Sequence, residues 1–308
     1  MPLFFSSTVF LALVSCFLWS TAFAAIKIGL PYTTPLQFAG IRFMLSGVMI
    51  LPFIKNRRTE FGRIKSHISW ALLISLFQTV LLYIFFYEGI ARTPGAVAAV
   101  VVGGGPLFVA LMAHFITGKD KMTLRKSVAL LVGFSGIVLL ALVKDHRIDN
   151  DASVVIGIAL LVVGNVSGSL GNILVSQNRR GISPVALSAF QLFIGGAVIL
   201  VISFFVEGVH FGAKPLPYYL SLLWLGFLSA AAFTIWFMVL SRPQVRVSEI
   251  NVWKFIIPVI GAVLSWLLIP GEGPAWRTVA GMVLIALAII LIYGSRWFKT
   301  SKISTFGE

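Results

Sequence analysis

Val101-Val102-Gly103-Gly104-Gly105-Pro106-Leu107 and Lys254-Phe255-Ile256-Ile257-Pro258-Val259-Ile260 each interrupt a long apolar segment, and their prolines lie 152 positions apart. A proline lacks an N–H and frees the carbonyl four residues upstream, here Val102 and Lys254. Exposed backbone is costly in hydrocarbon unless it is buried in protein or lines a cavity. Two such breaks at corresponding positions of two halves point to a binding site in a membrane transporter.

The surrounding chain is of the kind that lives in a bilayer. It is 58% hydrophobic and 11% charged, with a mean hydropathy of +0.99, against about 25% charged residues in soluble domains. Its charges cluster between uncharged runs. The net charge of +14 would suit nucleic acid in a soluble protein, but these basic residues sit in short loops between apolar spans. Topology explains them, and no nucleic-acid partner is expected. The single cysteine, Cys16, lies in an apolar run, so an intramolecular disulfide is excluded. Ala22-Phe23-Ala24 has the look of a signal-peptidase site, but no Lys or Arg precedes it. The segment is expected to be retained as a span.

Ten apolar segments can be counted, near 7–27, 35–54, 69–91, 94–116, 124–143, 153–175, 183–206, 216–240, 246–269 and 276–295. Each is close to the length of about 20 residues that crosses a bilayer. The loops alternate in charge: one side carries 16 Lys and Arg and the other 6, with Arg42 and Lys254 inside spans. The positive-inside rule places both termini in the cytoplasm.

The halves align with each other. Pro35 meets Pro184 and Gly47 meets Gly196 at an offset of 149; further on, Pro106 meets Pro258 and Asp120 meets Glu272 at an offset of 152. Five spans per half is an odd number, so the halves point opposite ways across the membrane. The expected fold is an all-α integral membrane protein of ten transmembrane helices in two inverted five-helix repeats, residues 1–145 and 146–308.

The chain resembles the drug/metabolite transporter superfamily in its ten-span EamA-type branch. The resemblance is carried by Trp19-Ser20-Thr21-Ala22-Phe23-Ala24-Ala25-Ile26-Lys27, Pro35, Arg42-Phe43, Ser183-Pro184 to Gln191, Val247-Ser248 to Pro258, and Gly271-Glu272. It departs from the family pattern at Gly118-Lys119-Asp120, Ala129 and Pro270, which leaves the subfamily and the substrate open. The resemblance implies export of small metabolites, often amino acids, amines or drugs, across the bacterial inner membrane.

Polar and ionisable residues inside spans are the candidates for a transport path. Lys254 lies about 12 Å into its helix, one turn before Pro258. It reads as a contact for a substrate carboxylate or a switch, or alternatively as a structural pin for the broken helix. Glu249, five residues earlier, reads as a proton carrier or as a solvent-facing end residue. Arg42, within span 2, reads as structural near a helix junction or as a substrate contact. His114 reads as an interhelical hydrogen-bonder or a proton relay. Asn165, Ser169 and Asn172 share one face of span 6, and Gln78, Gln191 and Asn251 add further amides. Such a stripe lines a cavity or glues helices together. In the resembled family spans 1, 3 and 9 surround the cavity, which makes Trp19, Tyr83 and Trp253 candidates for a stacking wall. Gly103, Gly104, Gly105, Pro106 and Pro258 are the candidate helix-break and gating residues.

Other functions lack their residues. There is no Walker A sequence, because Gly118-Lys119 has neither the upstream Gly nor a following Ser or Thr. The expected driving force is facilitated diffusion or exchange against protons, with no cofactor. Intramembrane proteolysis needs paired Asp, an activated Ser or a His/Glu metal site. All four Asp lie outside the spans, and His114 is the one His within them. The sequence expectation is a secondary transporter, working on a small-molecule metabolite in the lipid bilayer. Uptake or exchange by the same fold is the alternative.

Overall fold

A computed structural model describes residues 2–117, 123–141, 151–177, 180–208, 212–243, 245 and 247–303. Each of the ten expected spans is helical over its described residues. Span 1 is α1 (Pro2–Gly29) and span 2 is α2 (Pro35–Ile50). A short polar helix, α3 (Arg57–Ser66), follows, which the hydropathy pattern does not signal. Span 3 is α4 (Ile68–Ser75), one wide π turn (Leu76–Leu81) and α5 (Leu82–Ala91). Span 4 is α6 (Gly95–Gly103) and α7 (Gly105–Thr117); spans 5 to 8 are α8 (Leu124–Ala141), α9 (Asp151–Ser176), α10 (Pro184–Val206) and α11 (Leu216–Leu240). Span 9 is α12 (Val247–Asn251), a 3-10 turn (Val252–Phe255) and α13 (Ile256–Leu268), and span 10 is α14 (Trp276–Ile303). Six of the spans are long and apolar enough to cross a membrane, and four shorter apolar helices join them among the described residues. The expected repeat boundary at 145/146 lies outside the described residues.

The aligned prolines start helices. Pro35 and Pro184 each occupy a first helical turn, where a missing N–H costs nothing. At α10 the Ser183 hydroxyl also accepts from the Ala186 N–H at 3.2 Å. Pro106 and Pro258 likewise fall in the first turns of α7 and α13. The breaks therefore lie just before the prolines, at Gly104 and at residues 252–255.

Helix pairing follows the repeat. α2 packs on α10, α6 on α13, α8 on α14, α1 on α11 and α5 on α9. Exchanging the halves returns the same set, as a two-fold relation between inverted repeats requires. The α2–α10 contact is backbone against backbone. A Cβ on Gly196 would lie 2.6 Å from the Met44 nitrogen, and one on Gly40 would lie 2.8 Å from the Leu200 backbone. Small residues permit this approach, which is how membrane helices gain packing without a hydrophobic drive between them.

Carboxylates tie the halves together. Glu207 accepts from the Leu36 and Gln37 N–H groups at 2.9 and 3.0 Å, at the start of α2. Glu272 accepts from Gly95 and Ala96 at 2.9 and 3.2 Å, at the start of α6. Glu60 accepts from Ser183 at 2.7 Å, at the start of α10. Each supplies negative charge and acceptors to a helix N-terminus in the other half, where unpaired N–H groups and the positive dipole end meet. Asp120, the sequence counterpart of Glu272, lies outside the described residues. Leu131, Phe205 and Leu267 are strongly exposed, a distribution that suits hydrocarbon rather than water.

Candidate functional site

A cavity of about 100 Å³ lies at the centre of the bundle. Its walls follow from helical spacing. Trp19 and Phe23 stand four apart on α1; Asn165, Ser169 and Asn172 follow at four and three on α9; Tyr83 and Phe86 stand three apart on α5. Each set therefore shares one face. Span 4 contributes Val102, Gly105 and Val109, and span 9 contributes Lys254 and Ile257. Both breaks thus reach the cavity.

The two breaks also touch each other. A Cβ on Gly103 would fall 2.3 Å from Pro258 Cδ. Gly103 is where span 4 lets the pyrrolidine ring of span 9 come against its backbone. Above it, the Asn165 amide donates to the Val101 carbonyl at 2.8 Å, inside the turn that Gly104 ends. Asn165 both lines the cavity and supports the broken helix. Ser169 returns its hydroxyl hydrogen to the Asn165 carbonyl at 2.7 Å.

Lys254 projects into a box of indole rings. Its Nζ stands 4.6 Å from the Trp236 ring centroid and 5.4 Å from that of Trp19. The two rings meet edge to face at 5.4 Å, and Trp236 Nε1 donates to Asn172 Oδ1 at 3.1 Å, which fixes the box. Such cation–π contacts are worth about 0.5–2 kcal/mol each. Lys254 has no ion-pair partner among the described residues.

Arg42 lies at the cavity wall but is tied up. Its Nε and Nη2 donate to Ser229 Oγ at 3.0 and 2.7 Å, and Nη1 donates to the Tyr87 hydroxyl at 2.8 Å. Its guanidinium carbon lies 4.7 Å from the Phe43 ring centroid. The side chain is buried and bridges α2 to α5 and α11.

Span 3 owes its place on the wall to the π turn. The Phe77 carbonyl within that turn accepts from the Ser167 hydroxyl at 2.8 Å. Gly171 and Gly195 face its extra girth: a Cβ on Gly171 would lie 2.1 Å from Gln78 Oε1, and one on Gly195 would lie 2.5 Å from Thr79 Cβ. The Thr79 hydroxyl donates to Gln191 Oε1.

Lys254, Trp19, Gln78, Tyr83, Asn165, Ser169, Asn172 and Arg42 all line this one cavity, together with Gly105. Asn251 and Trp253 are not part of its lining; the Asn251 amide instead donates to the Val247 carbonyl at 2.8 Å. Gly104 and Pro106 shape the break without lining the space, and Gly103 and Pro258 form the contact beside it. The side chains of Glu249 and His114 lie outside the described residues. The residues that hydropathy alone does not single out are aromatic, namely Phe23, Phe86 and Phe233, with Trp236 behind Lys254. Their signal is positional: Trp19 and Phe23 are one turn apart.

A bundle of apolar spans around a central cavity has the build of a membrane transporter, and the comparisons with known proteins agree. The chain belongs to the EamA-like transporter family, whose model matches residues 6–142 and again residues 155–294. It is 27% identical over 290 residues to the "Uncharacterized transporter YoaV" of Bacillus subtilis, covering 92% of this chain and 96% of that one. It is 24% identical to the "Probable amino-acid metabolite efflux pump" of Escherichia coli K12, covering 96% and 98%. A solved crystal structure superposes with a TM-score of 0.66 at 18% identity, over 92% of this chain and 96% of that one, a likeness of fold.

Proposed function

We propose that the protein is a secondary transporter that exports a small organic metabolite across the inner membrane by alternating access. Its two working bodies are the five-span halves, residues 1–145 and 146–308, and both termini face the cytoplasm. The observation that carries this reading is the meeting of the two breaks, Gly103 against Pro258, at the wall of a cavity shared by both halves. Discontinuous spans that meet beside a site are the arrangement from which rocking of two repeats opens that site to either face in turn. The excess of basic residues in alternate loops supports the orientation. The efflux name carried by the E. coli relative supports the direction.

The test is transport by the purified protein in liposomes, with a panel of amino acids, amines and 2-oxo acids. At least one compound should equilibrate faster than through protein-free liposomes. An imposed pH gradient should accelerate it if protons are exchanged. If nothing in the panel moves above background, the exporter reading fails.

A further inference from the structure

We propose that the cavity binds an organic carboxylate with an aromatic or apolar body and turns away amines, because such a substrate supplies the counter-charge that the described lining lacks. This rests on the transport reading above and names its substrate class.

Among the described residues, the cavity lining includes two cations, Lys254 and Arg42, and no Asp or Glu. A cation deep in a span needs an opposite charge, a dipole or water. Arg42 is met by hydroxyl dipoles, those of Ser229 and Tyr87. Lys254 is met by the faces of Trp19 and Trp236. Neither arrangement cancels a full charge.

The four carboxylates whose side chains are described are all committed elsewhere. Glu60, Glu207 and Glu272 sit on helix N-termini, and Glu88 pairs with Arg92. The described lining is left positive in a medium that screens little.

The neutral groups point the same way. Trp19 Nε1 is a buried donor without a partner, on the same ring that Lys254 overlies. A carboxylate beside Lys254 can accept from both. Gln78 Oε1 is a buried lining acceptor left without a partner, and like the Asn165 amide oxygen and the Ser169 and Tyr83 hydroxyls in the same wall it is neutral, so an ammonium group would meet no opposite charge among the described residues. A free amine would add a third positive charge to the space. A zwitterion would gain at Lys254 and lose at its own ammonium. The rest of the wall, with Phe23, Tyr83, Phe86 and Phe233, suits an aromatic body.

Three compounds with one phenethyl body separate the cases: 3-phenylpropionate, phenylalanine and phenethylamine. Ligand binding to the folded protein raises its Tm. In a low-salt zwitterionic buffer, 3-phenylpropionate should raise the Tm of the purified protein at concentrations at least tenfold below those phenylalanine needs. Phenethylamine should raise it least. In Lys254→Gln this order should collapse, and in Lys254→Arg it should persist. Trp19→Phe, which keeps a ring and removes the N–H, should weaken the carboxylate several-fold. Ligand-free Tm and a monodisperse elution profile report that each variant is folded.

The proposal is overturned if phenethylamine stabilises as well as 3-phenylpropionate, or if Lys254→Gln keeps the order. It is equally overturned if sodium chloride alone produces the same shift, which would mark an inorganic-anion site. If none of the three compounds binds while wild type moves another panel compound, the carboxylate proposal falls and the transport reading stands. If nothing is moved at all, both fall.

Discussion

Arg42 and Lys254 look alike in the sequence, as two basic residues inside spans, and the structure separates them. Arg42 spends its Nε and both terminal nitrogens on Ser229 and Tyr87, and so links α2 to α11 and α5. Hydrogen bonds to a charged group contribute about 1.5–3 kcal/mol. Ser229→Ala removes the acceptor of two Arg42 donors and should lower stability by about that amount, read as a fall in the urea midpoint. Arg42→Lys should do no better, because an ammonium cannot span both partners as a planar fork does. The sequence showed that both cations must be answered, but not by what, since Ser229 is 187 residues from Arg42. For Asn165 the sequence left open cavity lining or helix glue, and the residue does both. Asn165→Ala should leave the Val101 carbonyl with the Gly104 N–H alone and remove one hydrogen bond, a cost of about 0.5–1.5 kcal/mol, seen as a lower Tm.

Spans 4 and 9 are the elements that sequence reading located best. Glycine and proline act locally, so their effect on a helix is legible without knowing the fold. What the sequence did not give is that Gly103 receives Pro258. Overpacking a fitted contact costs about 1–3 kcal/mol, so Gly103→Val should lower the Tm and abolish transport. Gly62→Ala is the control, since a Cβ there meets nothing within 4 Å; it should leave transport unchanged and the Tm no lower than wild type, because Ala is the better helix former within α3. The π turn in span 3 was not legible at all. Leu76 to Leu81 is as apolar as its surroundings, and the turn depends on Ser167, Gly171 and Gly195, which belong to helices far along the chain. Helix α3 was missed because hydropathy finds spans and passes over short polar helices between them.

At the scale of the molecule, the inverted repeat was readable from matched prolines and glycines, and the helix pairing agrees with it. The carboxylate caps were not readable, because each joins residues more than 120 positions apart, as with Glu207 and Leu36. If the halves rock, these caps must part during the cycle. In a Cys16→Ala background, cysteines at Leu36 and Glu207 joined by a short thiol cross-linker should arrest transport, and reduction of a cleavable linker should restore it. Glu207→Gln leaves one acceptor and removes the charge. It should cost about 0.3–1 kcal/mol of the helix-dipole contribution and raise the opening rate, measured as faster hydrogen exchange at Leu36 and Gln37.

The π turn has one further consequence, for the phase of span 3. A wide turn carries one residue more than the α-helix it replaces. Each residue in an α-helix advances the face by about 100°. The surplus residue therefore indexes everything after it, and Tyr83 and Phe86 face the cavity on that setting. Deleting one residue between Leu76 and Leu81 would remove the surplus and let an ordinary α-helix carry Tyr83 and Phe86 to the same face, whereas straightening the turn with every residue kept would swing them about 100° out of mesh.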